Sequence, residues 1–170
     1  AGVQSNLFGY DPRFDSIYIR GFDTTYNGIY RDGLRLANAA GAGAIFKNEP
    51  YGFDSITVLR GPSASTYGFG SPGGLVDITS KRPTFTKFGE LQFQTGNFGR
   101  KQGNFDVGGP VAGTNDTFAY RVTGVFRDAR AFPISPDDRI MIAPAFTYRP
   151  DGATSFPFLS EYLKARFPGN

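Results

Sequence analysis

The chain has 170 residues, with 18 Lys and Arg against 15 Asp and Glu, and the resulting net charge of +3 is too small to argue for nucleic acid or an anionic surface as a partner. It has no Cys and no His, which excludes disulfides, thiolate metal sites, thiol nucleophiles, Ser-His-Asp triads and His-ligated zinc. With 23 Gly, 12 Pro, 18 Phe and 9 Tyr, and no apolar run near the roughly 18 residues of a membrane helix, a β-rich binding or barrel protein is what remains open.

Residues 1–85 are irregular and glycine-rich. Ile17 and Ile19 flank Tyr18 ahead of Arg20-Gly21, and a similar alternation runs from Ile56 to Arg60 ahead of Gly61-Pro62; both read as short strands ending in turns. Asn27-Gly28 and Asp32-Gly33 are turn signals between them. Residues 37–44 are small and flexible, more loop than helix, and residues 48–55 have room for a single helical turn.

From Phe88 the pattern has period two. Leu91 and Phe93 oppose Glu90, Gln92 and Gln94, and Phe105 and Val107 oppose Asn104 and Asp106. The clearest segment sets Phe118, Tyr120, Val122, Gly124 and Phe126 against Ala119, Arg121, Thr123, Val125 and Arg127. Next, Ile140, Ile142, Pro144, Phe146 and Tyr148 oppose Met141, Ala143, Ala145, Thr147 and Arg149, and a fifth segment opens with Phe156, Phe158 and Tyr162 in step. Such alternation places one face against an apolar phase and the other against water or polar groups. Antiparallel hairpins of roughly ten-residue strands fit a transmembrane β-wall. A soluble β-sandwich alternates too, and the large aromatics at strand ends tilt the balance toward the wall.

Three motifs are decoys. Residues 68–73 fit G-x-G-x-x-G, but Pro72, Gly73 and Gly74 interrupt the helix that dinucleotide binding needs. Asn115-Asp116-Thr117 matches a glycosylation acceptor with no secretory context, and Asp137-Asp138 reads as a solvated turn before it reads as a metal site.

The segments IYIRGFD (17–23), NGIYRDGLR (27–35) and EPYGFDSITVLRGPSASTYGFGSPGGLVDITSKRP (49–83) resemble TonB-dependent ferric-siderophore receptors, and GNFGRKQGNFDVGGPV, YRVTGVFRDA and DDRIMIAPAFTYRPDGATSF continue the likeness. The resemblance implies a mainly β fold: residues 1–85 as a partial plug domain without its N-terminal part, and 86–170 as the first four to five antiparallel strands of an incomplete transmembrane barrel. It implies a fragment of a receptor of the Gram-negative outer membrane, embedded in outer-membrane lipid. That receptor is no enzyme: it has no catalytic residues, no metal ligands and no covalent cofactor, binds no nucleic acid, and imports a ferric siderophore with energy from TonB. The segment that TonB grips is expected to lie outside this sequence. The same fold importing a corrinoid or an oligosaccharide, and a truncated structural or binding β-protein that does not transport, stay open beside it.

Site residues follow from the same likeness. Phe8, Tyr10, Tyr26, Asn27 and Phe46 match outward-facing plug loop tips, where aromatic and amide groups suit a bulky ferric chelate; packing inside the plug is the alternative for Phe8, Tyr10 and Phe46. Arg20 and Arg60 match positions that pair with glutamates of later barrel strands. With those strands absent, either the fragment is expected to be unstable or the two arginines to turn toward water, since a buried guanidinium without its carboxylate is costly.

Overall fold

The computed structural model describes residues 2–5, 16–36, 48–62, 67–68, 70–131 and 135–166. It divides into two units, Ala1–Ser80 and Lys81–Asn170.

The first unit holds two small sheets. β1 (Val3–Ser5), β2 (Ile17–Ile19) and β3 (Phe22–Asp23) form an antiparallel three-stranded sheet in that order. Arg20 and Gly21 make the two-residue turn between β2 and β3, both with positive φ (52° and 82°), as a hairpin of primed twist requires. Asp32 and Gly33, at 52° and 78°, do the same between β4 (Ile29–Arg31) and β5 (Leu34–Arg35).

After a single 3-10 turn at Pro50–Gly52 come β6 (Phe53–Arg60) and β7 (Gly74–Ser80). The second sheet runs β5-β4-β7-β6, with β4 and β7 parallel and the other pairs antiparallel. β7 is central and nearly all buried, which explains its apolar Leu75, Val76 and Ile78 around a half-buried Asp77. Ile19, Ile29, Val76 and Ile78 form the core, with Ile17, Leu36 and Phe53 against it. β6 is the edge and is exposed along most of its length, Ile56, Val58 and Leu59 included.

The second unit is built on one six-stranded antiparallel sheet. β8 (Phe88–Thr95), β9 (Lys101–Pro110) and β10 (Phe118–Asp128) pair in succession. The polar loop after β10 contains a small hairpin, β11 (Arg130–Ala131) with β12 (Ser135–Pro136). Then β13 (Asp138–Tyr148) pairs with β10 over its whole length. β14 (Phe156–Leu159) and β15 (Tyr162–Arg166) pair with successive halves of β13, and the Ser160 amide bridges the break by donating to Pro144 O (3.1 Å).

Register puts the large aromatic residues of the strands on one face, while Val125, Met141 and Leu163 pair on the other. Leu91 faces Phe105, Val107 faces Val122, Tyr120 faces Phe146, Phe126 faces Ile140, and Phe146 faces Phe158. Phe118, Tyr120, Val122 and Phe126 thus share one face, and it is open: Phe93 is 79% exposed, and Phe118, Phe126, Phe146 and Phe158 are exposed as well. Phe118, Tyr148 and Phe156 stack in a row at its turn end, with centroids 4.6 and 6.3 Å apart. Where Gly124 lacks a Cβ, the Phe105 ring fills the space and stacks on Phe126.

The short turn at 149–155 is closed by Asp151, whose carboxylate accepts from the amides of Ala153 (2.9 Å) and Thr154 (2.6 Å); these bonds hold its pKa below the usual carboxylate range.

Candidate functional site

The reading of Arg20 and Arg60 as outward-turned arginines meets two exposed side chains in the first unit. Arg20 gives its amide to Gly2 O (2.7 Å), and its Nη1 reaches within 3.7 Å of the place a Cβ on Gly61 would occupy. Gly61 directly follows Arg60, so the Arg20 side chain lies beside the turn that ends β6. Gly61 holds φ +104° and gives its amide to Gly73 O (2.8 Å), so this corner is pinned to the start of β7. Among the described residues Arg20 makes no ion pair.

Tyr26 and Asn27 sit in the turn between β3 and β4. The Asp23 carboxylate accepts from the Thr25 amide (2.8 Å), and the Gly28 amide closes the turn on Thr24 O (2.8 Å). Thr24 and Thr25 are buried and bond back to Ile17, which leaves Tyr26 outside at 60% exposure and Asn27 half-buried. Tyr18 stands across from Asp23; partial burial and then the Asp23 charge push its phenol pKa up. Phe8, Tyr10 and Phe46 lie outside the described residues.

A second polar group in this unit was not singled out by the sequence. Tyr30 packs edge-on to Tyr67 (5.2 Å), its hydroxyl donates to Tyr67 O (3.1 Å), and the Tyr67 hydroxyl donates to Asp77 Oδ2 (3.3 Å). Burial and then the Asp77 charge raise the Tyr67 pKa. Asp77 reaches Tyr67 because β7 is central in its sheet, and parallel pairing of β4 with β7 sets Tyr30 level with Asp77.

In the second unit the face opposite the aromatics carries a ladder of polar side chains. Asp106, 3% exposed, takes both arms of Arg121 (2.9 and 2.8 Å), Lys81 Nζ (2.8 Å) and the Thr123 hydroxyl (3.2 Å). Further along, Gln92, Asn104 and Gln102 bond in series, and Gln102 also accepts from Arg100 (2.6 Å) and Arg127 (2.7 Å). Asp137 ties Arg127 (3.6 Å) to Arg139 (2.9 Å). The sequence reading of Asp137 as a solvated turn residue is corrected here: it is buried, because the hairpin of β11 and β12 folds the loop back and brings Asp137 beside two arginines of the sheet. Residues 68 and 70–73 form no helix before β7, so the G-x-G-x-x-G match lacks its structural context. At the loop end of the sheet, Phe98, Gly99, Asp128, Ala129 and Arg130 line an open hollow of about 460 Å³. No group of three acidic side chains that could hold a metal occurs among the described residues.

Comparison with known proteins identifies this architecture. Residues 1–75 match the TonB-dependent receptor plug domain. The chain is 36% identical over 151 residues to the ferrioxamine B receptor of Salmonella typhimurium, covering 87% of the chain and 21% of that protein. It is 37% identical over 164 residues to the ferrichrome outer membrane transporter/phage receptor of Escherichia coli, covering 95% of the chain and 22% of that protein. The fold superposes on the pyoverdine outer membrane receptor FpvA of Pseudomonas aeruginosa with a TM-score of 0.82 at 20% identity, over 95% of the chain and 23% of that structure. The chain thus spans about a fifth of the length of the curated relatives it matches. It belongs to the TonB-dependent receptor family.

Proposed function

We propose that the chain belongs to an outer-membrane receptor, not an enzyme, that binds a ferric siderophore and imports it with energy from TonB. In this reading residues 1–85 are plug and 86–170 are the first antiparallel strands of the barrel wall, with lipid on the aromatic face.

The observation that carries the reading is the one-sided second unit. β10 rises about 3.3 Å per residue, and at a tilt of about 40° its eleven residues cover about 25 Å of membrane normal, the height of the apolar band of outer-membrane barrels. Its outer face is apolar along that length, and the Phe118–Tyr148–Phe156 row sits where an interfacial girdle belongs. The other face is held by Asp106, Asn104, Gln102 and Asp137, as a polar barrel interior would be.

Tyr26 and Asn27, with Phe8, Tyr10 and Phe46, are the proposed contacts to the chelate. They offer ring faces and amide bonds to the organic shell, with no side chain that would strip the iron. Arg20 and Arg60, both exposed on the plug, are the proposed partners of carboxylates on later strands. The ferrioxamine B and ferrichrome relatives make those two chelates the first to test.

The experiment is uptake of radiolabelled ferric chelate under iron limitation by cells whose only receptor is the full-length protein carrying this chain. Energy-dependent accumulation of ferrioxamine B or ferrichrome is the expected result. Binding and uptake of a corrinoid or oligosaccharide instead would overturn the cargo.

A further inference from the structure

The segment between β7 and β8 is unusual for a linker: it is fastened to the sheet of the second unit at almost every second residue. Lys81 Nζ meets Asp106 Oδ2 at 2.8 Å. The Arg82 carbonyl accepts from Arg121 Nη1 at 3.0 Å, and the Phe85 ring lies 3.7 Å from the Arg149 guanidinium. Lys87 crosses Gly109 so closely that a Cβ there would stand 2.9 Å from it, and Phe88 sits under Arg121 at 4.9 Å. The residue just before the segment belongs to the other unit: the Ser80 amide donates to Asp32 (3.0 Å), and its hydroxyl accepts from Arg31 (2.8 Å).

The ties of Lys81, Arg82 and Phe88 converge on one buried carboxylate. Asp106 holds Arg121 in a bidentate fork, and that fork is what aims Nη1 at Arg82 and the guanidinium plane at Phe88. With Lys81 added, two cations and the Thr123 hydroxyl share one acceptor that is 3% exposed. Lifting Lys81 away would break a charged hydrogen bond in a largely water-free site, whereas strands β1 to β7 can come apart by losing single backbone bonds in turn.

We propose that Asp106 is a positioning residue that clamps residues 81–87 to the wall, so that a pull on the plug releases chain up to Ser80 and no further. The proposal rests on the transport reading for its purpose, since only a receptor opened by force needs a fixed end point. The clamp keeps the plug tethered at a defined length while the path is open, and returns the start of β7 to the same place for refolding.

The test pulls the N-terminus of the full-length receptor in a bilayer by single-molecule force spectroscopy. In the wild type, the last extension before the barrel ruptures should end at Ser80. Asp106→Asn should lengthen it by residues 81–87, about 25 Å at up to 3.6 Å per residue. Lys81→Met leaves Arg121 and Thr123 on Asp106 and Arg121 on the Arg82 carbonyl, so it should give a smaller lengthening than Asp106→Asn. A wild type that already releases through residue 87, or two variants that both stop at Ser80, would overturn the clamp. An intact receptor that accumulates no ferric chelate would instead defeat the transport reading, a result separate from the extension lengths.

Discussion

The carbonyl oxygen of Ile19 lies 2.1 Å from where a Cβ on Gly73 would stand, so the end of β2 and the start of β7 touch backbone to backbone. Gly74 makes the same kind of contact with Leu59 O at 2.0 Å and holds φ +134°. The Gly73-Gly74 pair is what lets β7 enter between its neighbours and bury Leu75, Val76 and Ile78. Gly73→Ala forces the backbone of Ile19 aside, and the cost should be about 1–3 kcal/mol, the range for overpacking a close contact. Gly152→Ala, with open space around it, should cost far less. Urea unfolding of the two variants, followed by protease sensitivity of the plug, compares them directly.

The strands from Phe88 to Tyr148 were legible in the sequence because a face is a local property: alternation along one strand says which side chains share a side. The fifth segment kept Phe156, Phe158 and Tyr162 on that face even though Ser160 breaks the strand. The first unit was less legible. β4 and β7 pair in parallel across some forty-five residues, and nothing near Ile29 or Val76 announces that contact. Asp137 was misjudged for a similar reason, since its partner Arg127, ten positions back, comes near only when the loop folds back. Asp106 showed only as one polar position among several, and its fork with Arg121 depends on cross-strand register.

Arg139 is 2% exposed and leans on Asp137 at 2.9 Å, with Arg127 on the other carboxylate oxygen. Asp137→Ala removes the carboxylate that the buried Arg139 shares with Arg127, and breaking one side of a buried pair costs about 3–5 kcal/mol. The denaturation midpoint of the refolded barrel should fall accordingly. Asp138→Ala, one residue on and only half-buried, serves as the matched control and should move it much less.

Membrane depth gives a graded prediction on the aromatic face. Val122 lies in the middle of β10, opposite Val107 and Pro144, and Tyr148 lies at the end of β13 in the stacked row. Val122→Arg should cost about 2–4 kcal/mol, the midplane value for a cation facing lipid, and Tyr148→Arg should add only about 0–1 kcal/mol for its charge. Equal penalties at the two positions in a lipid-folding titration would contradict the proposed orientation of the wall.

Tyr67 predicts a loss of stability at high pH. Its folded pKa is raised above the unfolded value of about 10 by burial and by Asp77. Below about pH 10 the phenol is protonated in both states and the network is intact. Above it the unfolded chain loses the proton more readily than the folded one, so stability falls as pH rises toward the folded pKa. Asp77→Asn removes the neighbouring charge and should lower the onset of Tyr67 ionisation, read as the phenolate absorbance difference between Asp77→Asn proteins with and without Tyr67→Phe.

Tyr26 and Asn27 separate binding from folding. Tyr26 is largely exposed and its turn is held by Asp23, Thr24 and Gly28, so Tyr26→Ala removes a ring without touching the bonds that shape the loop. Stability should therefore change within about 0.5 kcal/mol, as for surface substitutions away from special features. If the ring stacks on the ferric chelate, affinity should fall by about tenfold, equivalent to about 1.4 kcal/mol. Asn27→Ala should act in the same direction through a lost amide contact. Equilibrium binding of iron-loaded and iron-free chelate to the full-length receptor gives the measurement, and unchanged affinity in both variants would remove this loop from the binding site.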